Sequence, residues 1–256
     1  RGCGSTTGSP SGTISNSYYN SGVWNAFSVL KVASGVTSTM TGIVTLSKVI
    51  LENNATLTGS SALYIIHPTG DDFIDMDATA TLSPSSIWIY PLVGVTTQQK
   101  AFTTSAHVEV GWTNSSVLKM TGNWNIGGNL WIYGNSAAVS EATAAVLDTN
   151  GYNLTIGGAL KLGNGDNQYQ NKFFGKVLLR SGTHTVGGDV YVSGAQHGSR
   201  GYLDFGSSSM TIKGNIDFTN MYVTPGTATV TLAATSGTKT ITSGGQSFID
   251  LTINPS

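Results

Sequence analysis

Asn123-Trp-Asn-Ile-Gly-Gly-Asn-Leu-Trp-Ile-Tyr-Gly134 is a phrase this chain repeats. It returns as Asn153-Leu-Thr-Ile-Gly-Gly-Ala-Leu-Lys-Leu-Gly163 and as Thr183-His-Thr-Val-Gly-Gly-Asp-Val-Tyr-Val-Ser-Gly194. A fourth copy is Ser209-Met-Thr-Ile-Lys-Gly-Asn-Ile-Asp-Phe218. The second glycine of the phrase falls at Gly128, Gly158, Gly188 and Gly214, two equal steps and then a shorter one. Around each copy lie pairs of apolar residues separated by one residue, the pattern of a strand with one buried face.

Three sets of pairs emerge. The first is Leu118/Met120, Val177/Leu179, Leu203/Phe205 and Val230/Leu232, with Val146-Leu147 in the same place. The second is Trp124/Ile126, Leu154/Ile156, His184/Val186 and Met210/Ile212. The third is Leu130/Ile132, Leu160/Leu162, Val190/Val192 and Ile216/Phe218. A meander of hairpins shows turns roughly every 8–12 residues without a longer identity. Whole three-strand units recurring at about 30 residues indicate a stacked array. The reading is an all-β chain, a right-handed parallel β-helix of about eight coils, each of roughly 26–30 residues. Like residues then stack on like, and the four glycines occupy corners, through positive φ or close backbone approach. Outward Asn, Thr and Ser are expected to form ladders between coils.

The rest of the chain divides around this core. Residues 1–17 are Gly/Ser/Thr-rich, with too little bulk to order alone, and read as a tail that is flexible or docked on a partner. Residues 18–116 keep strand chemistry with irregular spacing, including a degraded unit at 55–65, and read as coils carrying loop insertions. Residues 117–256 read as the regular repeats, with 136–145 a loop insertion.

Composition narrows the function. Charged residues are 10% of the chain and the net charge is −1, against about 25% charged residues in ordinary domains. Without a basic stripe, nucleic acid is excluded as an expected partner. No apolar run reaches the ~18–20 residues that span a bilayer, and because no charged-then-apolar leader is visible the numbering is expected to start after a removed signal peptide. The single cysteine, Cys3, leaves three readings open: a free thiol, a lipid anchor and an intermolecular disulfide.

Catalytic and metal motifs are sparse. The Gly-Gly pairs precede strands and lack the Lys-Ser/Thr of a phosphate loop. Asp71, Asp72, Asp75 and Asp77 form the densest carboxylate run. They are weak candidates for Ca²⁺ or for paired-acid glycoside hydrolysis, and Asp166 lies in a second Asx-rich turn. His184 stands in an apolar column with no second ligand in view. No cofactor is expected, and no catalytic residue is assigned. Trp88, Trp112, Trp124, Trp131 and Tyr133 supply aromatic surface. By alternation Trp131 points outward, Tyr191 matches it two coils later and Lys161 lies between them. Trp131 and Tyr191 are therefore the candidate glycan contacts. Asn54, Asn114 and Asn153 head sequons and are candidate glycosylation sites.

The run TVTLAATSGTKTITSGGQSFIDLTINPS at 229–256, with YNLTIGGALKLG at 152–163, resembles repeats of large secreted or cell-surface β-solenoid proteins of bacteria and archaea. The resemblance covers about residues 117–256. It implies an extracellular or cell-surface location and an adhesin-like, stalk or fibre role, and it carries over no catalytic residue. Three functions follow as expectations. One is a structural subunit that polymerises through open strand edges, using Phe248, Leu251 and Ile253 or a strand donated from 13–32. The second is a carbohydrate-binding module like an adhesin or tail spike. The third is a polysaccharide-degrading enzyme centred on the Asp71–Asp77 run.

Overall fold

The computed structural model describes residues 11–14, 19–20, 23–24, 29–66, 68, 71–135, 138–163, 174–193, 199–234 and 236–254. Cys3 and Asp166 lie outside them. The chain is a parallel β-solenoid. One sheet of nine strands runs the length of the repeats, and two further faces complete the coil. Each of those two is split: strands of a four-stranded and then a seven-stranded sheet form one, and strands of a three-stranded and then a six-stranded sheet form the other.

Register shows why the apolar pairs recur. In the nine-stranded sheet Val44, Leu63, Ile87, Val108, Leu130, Leu160, Val190, Ile216 and Ile241 lie in one column. All are buried except the partly buried Ile241. Such columns make a continuous core in which every rung meets its own kind, which rewards β-branched and Leu side chains.

The N-terminal coils are shorter than the repeat length led one to expect. Column positions crowd together from Val44 through Leu63, Ile87 and Val108 to Leu130, and spread apart from Leu130 to Leu160 and Val190. Three short strands and three tight turns need only about 20 residues to close. The longer units are the ones carrying insertions, one of which holds a turn of 3₁₀ helix at Glu141–Thr143. The irregular spacing of 18–116 thus reflects shorter coils whose connections differ in length, from Ser47 alone between Leu46 and Lys48 to the longer stretch between Ile66 and Ile74. The nine-stranded sheet also crosses from 116 to 117 unbroken, Val108 pairing with Leu130.

Coil shortening also changes the phase of the last unit. Val230/Leu232 stack on Met210/Ile212 and belong to the second set; Met221–Thr224 takes the first-set place. Ile241–Thr242 continues the third set, and Asp250–Ile253 returns to the second, over Thr229–Leu232. At the other end Ser11–Ile14 pairs with Thr37–Met40, and Val29–Val32 with Lys48–Leu51. Strands in the segment read as a donor are therefore paired within their own chain.

The corner glycines work by close approach. Gly128, Gly158, Gly188 and Gly214 all lack positive φ. Instead Gly158 N–H donates to Gly128 O at 2.9 Å, Gly188 N–H to Gly158 O at 2.8 Å and Gly214 N–H to Gly188 O at 3.1 Å. Backbone sits on backbone where any Cβ would intrude.

His184 is buried between Leu154 and Met210 in the second-set column. Its Nε2–H donates to Leu179 O at 2.9 Å, while Nδ1 meets no partner among the described residues. Burial holds its pKa below the ordinary histidine range, and the Leu179 bond opposes this without reversing it.

Candidate functional site: the outer face of the nine-stranded sheet

Alternation sends every second side chain of a strand away from the core. On the nine-stranded sheet that outward column reads Thr45, Tyr64, Trp88, Glu109, Trp131, Lys161 and Tyr191, held in register rung by rung. The six from Tyr64 onward are half-buried. Trp131 and Tyr191 thus lie where the alternation placed them, with Lys161 between. The column extends further than the sequence indicated, because Tyr64, Trp88 and Glu109 sit in coils whose spacing hid the repeat.

Two aromatic groups flank the carboxylate. Tyr64 lies 5.0 Å from Trp88 and 5.8 Å from Tyr90, ring centre to ring centre, and Trp88 meets Tyr90 edge-on at 6.1 Å. Trp88 Nε1–H donates to Ser86 Oγ at 2.9 Å. On the other side Trp131 lies 4.9 Å from Tyr133, and its Nε1–H donates to Gly163 O at 2.6 Å. Lys161 Nζ stands 5.6 Å over the Trp131 ring, a cation–π distance.

Gly111 makes this arrangement fit. A Cβ there would lie 2.5 Å from Tyr133 Cζ, so the buried phenol occupies space that only glycine leaves open. From that position Tyr133 Oη–H donates to Glu109 Oε2 at 3.1 Å. Burial holds the Glu109 carboxyl above the usual carboxylate range; the Tyr133 bond and the Lys161 charge partly offset this. Burial, then the Glu109 charge, pushes the Tyr64 hydroxyl up, and Tyr90 is shifted the same way by burial, Tyr64 and Glu109. The face therefore combines apolar rings, an acceptor and a cation, each held by its neighbours.

One border of the face is a polar ladder. His107 Nδ1 accepts Asn129 N–H at 2.8 Å, Asn129 Oδ1 accepts Ala159 N–H at 2.8 Å, and Asn215 Oδ1 accepts Thr240 N–H at 2.9 Å. These are the inter-coil ladders expected of outward polar residues, here clamping the coils at a corner.

The other candidates resolve differently. Trp124 faces inward, 1% exposed, against Phe102 at 4.7 Å, because it belongs to the second-set column. The Trp112 side chain lies outside the described set. The acidic run is a seam between the split sheets. Asp71 Oδ1 accepts Gln98 N–H at 3.0 Å, Asp72 Oδ1 accepts Lys100 N–H at 2.7 Å, and buried Gln99 bonds both Ile74 N–H and Ile74 O. Asp75 pairs with Lys100 and Lys48. Asp77 accepts Thr79 N–H and Oγ1–H at 2.9 and 2.7 Å, which hold its pKa down. Among the described residues no group of three or more His, Cys, Asp or Glu is placed to hold a metal ion. Nothing in the local sequence distinguishes a carboxylate that caps a neighbouring coil's N–H from one awaiting a cation.

The sequons are spread over the surface. Asn54 sits in an exposed turn at φ 56°. Half-buried Asn114 accepts a bond from Asn135 Nδ2 at 3.1 Å. Exposed Asn153 accepts Thr183 N–H through Oδ1 at 2.9 Å. At the last rung Phe248 is packed 5.3 Å from Phe218 and Leu251 is partly buried, so Ile253, with Ile249, is the exposed apolar residue there, each 63% exposed.

Fold and face define a class: a parallel β-solenoid that carries an aromatic and charged column along one sheet. Comparison of the chain with protein-family models, curated proteins and solved structures finds no match. No helix among the described residues is long and apolar enough to cross a membrane.

Proposed function

We propose that this chain is a structural module of an extracellular surface or fibre, a rod whose nine-stranded face binds glycan. The observation that carries the reading is the outward column Tyr64–Trp88–Glu109–Trp131–Lys161–Tyr191, fixed in register across six rungs. Half-buried rings present apolar area at little entropic cost, and the polar tips beside them bond hydroxyls. The low charge and the Thr- and Asn-rich exterior support an extracellular setting, as does the resemblance to secreted solenoid repeats. A glycan array probed with the full chain and with Trp131→Ala tests this reading. Wild type is expected to bind a subset of surface polysaccharides, and Trp131→Ala to weaken that binding at least tenfold while its far-UV circular dichroism and cooperative unfolding are retained. Absence of any glycan bound by wild type rejects it.

A second reading is self-association with a further copy through Ile249 and Ile253, which are exposed on the last described rung. Parallel strand edges are pairing templates. Sedimentation across a concentration series should show wild-type oligomers that Ile253→Lys disperses. A wild type that stays monomeric at high concentration ends this reading.

A further inference from the structure

We propose that the polymer bound by the nine-stranded face is a neutral, flat-ribbon β-1,4-linked polysaccharide lying parallel to the solenoid axis. The inference rests on the glycan-binding reading and adds the linkage, direction and charge class of the ligand.

Its basis is the order of residues in the column. Trp88, Trp131 and Tyr191 occupy alternate rungs, with Glu109 and Lys161 on the rungs between. Parallel rungs are about 4.8 Å apart, so the aromatic platforms repeat at about 9.6 Å. In an extended β-1,4-linked chain each pyranose is turned over relative to the last, and every second sugar presents the same apolar face. Two such sugars are close in length to two rungs. Rings on alternate rungs therefore meet equivalent faces of alternate sugars. The sugar between them brings its hydroxyl edge to Glu109, an acceptor, or to Lys161, a donor.

An α-1,4-linked chain coils and leaves a straight platform after one or two sugars. A charged polymer gains little here, because between the aromatic rungs one acid, Glu109, and one cation, Lys161, face each other's charge, and the further acid Asp217 beyond Tyr191 disfavours a polyanion. The platform is also rigid: Trp131 is fixed through Gly163 O, Trp88 through Ser86 Oγ and Glu109 through Tyr133. Stacking sites in series on a rigid support reinforce one another, so affinity rises steeply once a ligand spans two of them.

Titration calorimetry of the full chain with cello- and chito-oligosaccharides of two to six sugars tests the proposal, with maltohexaose as the coiled comparison. The expected result is a hexasaccharide bound at least tenfold more tightly than the disaccharide, and maltohexaose at least tenfold more weakly than the β-linked hexamer. Trp88→Ala and Trp131→Ala should each return the hexamer to near disaccharide affinity with circular dichroism unchanged, which shows that the loss is not one of folding, while Trp131→Phe retains most of the gain. Equal affinity for maltohexaose, or affinity independent of length, overturns the ribbon inference while leaving glycan binding intact. If the array also shows no glycan bound, both readings fall together.

Discussion

Replacing Gly128 with alanine is expected to lower the melting temperature by roughly 6–12 °C, from a cost of about 3 kcal/mol. The added Cβ would lie 2.6 Å from Ala106 O and 2.7 Å from both Ala106 C and His107 N. All three are backbone atoms of the neighbouring coil. That backbone cannot retreat, because Val108 and the residues after it are locked in the ladder with Ile87 and Leu130. The control is Gly42→Ala, where an added Cβ meets nothing within 4 Å and φ is not positive. It should shift stability by no more than about 0.5 kcal/mol. Thermal melts of the two variants separate corner packing from any general effect of losing a glycine.

Gln99→Leu is expected to destabilise by about 3–5 kcal/mol, because it strands buried polar groups where two sheets fail to meet. Gln99 is fully buried. Its Oε1 accepts Ile74 N–H at 2.9 Å, and its Nε2 donates to Ile74 O at 2.8 Å and to Lys100 O at 3.2 Å. The side-chain amide thus stands in for the peptide group of a missing strand pair between Ile74–Met76 and Thr96–Gln99. Leucine fits the volume and supplies none of these bonds. Denaturant unfolding measures the loss. Hydrogen exchange localises it: the Ile74 amide should lose protection, while Leu118, in the uninterrupted six-stranded sheet, keeps its own until global unfolding. Unchanged Ile74 protection would contradict this role for Gln99.

The repeat was legible because two successive units are equal in length, so an identity of long period survives from Asn123 to Val192. That same feature hid the true coil. In the shorter N-terminal coils, Leu63, Ile87 and Val108 recur at shorter and unequal spacings, and nothing local marks Tyr64, Trp88 and Glu109 as neighbours of Trp131. Their alternation was visible in each strand; their shared column was not. The acidic run Asp71–Asp77 misled for a related reason. Its partners, Gln98, Lys100 and Lys48, lie one coil away in either direction, at separations no local pattern encodes.

By itself the sequence determined the solenoid, its parallel strands, its inward columns and its corner glycines, because those follow from a strand period and a coil repeat that the residues spell out. It also determined that Trp131 faces outward, since alternation is a property of a single strand. The tertiary structure decided the coil length, the seam closed by Gln99 and the assembly of Tyr64, Trp88, Glu109, Trp131, Lys161 and Tyr191 into one face. The physical reason is register: which residues share a column depends on where each coil closes, and loops of unequal length erase that from the linear spacing while hydrogen bonds between rungs restore it.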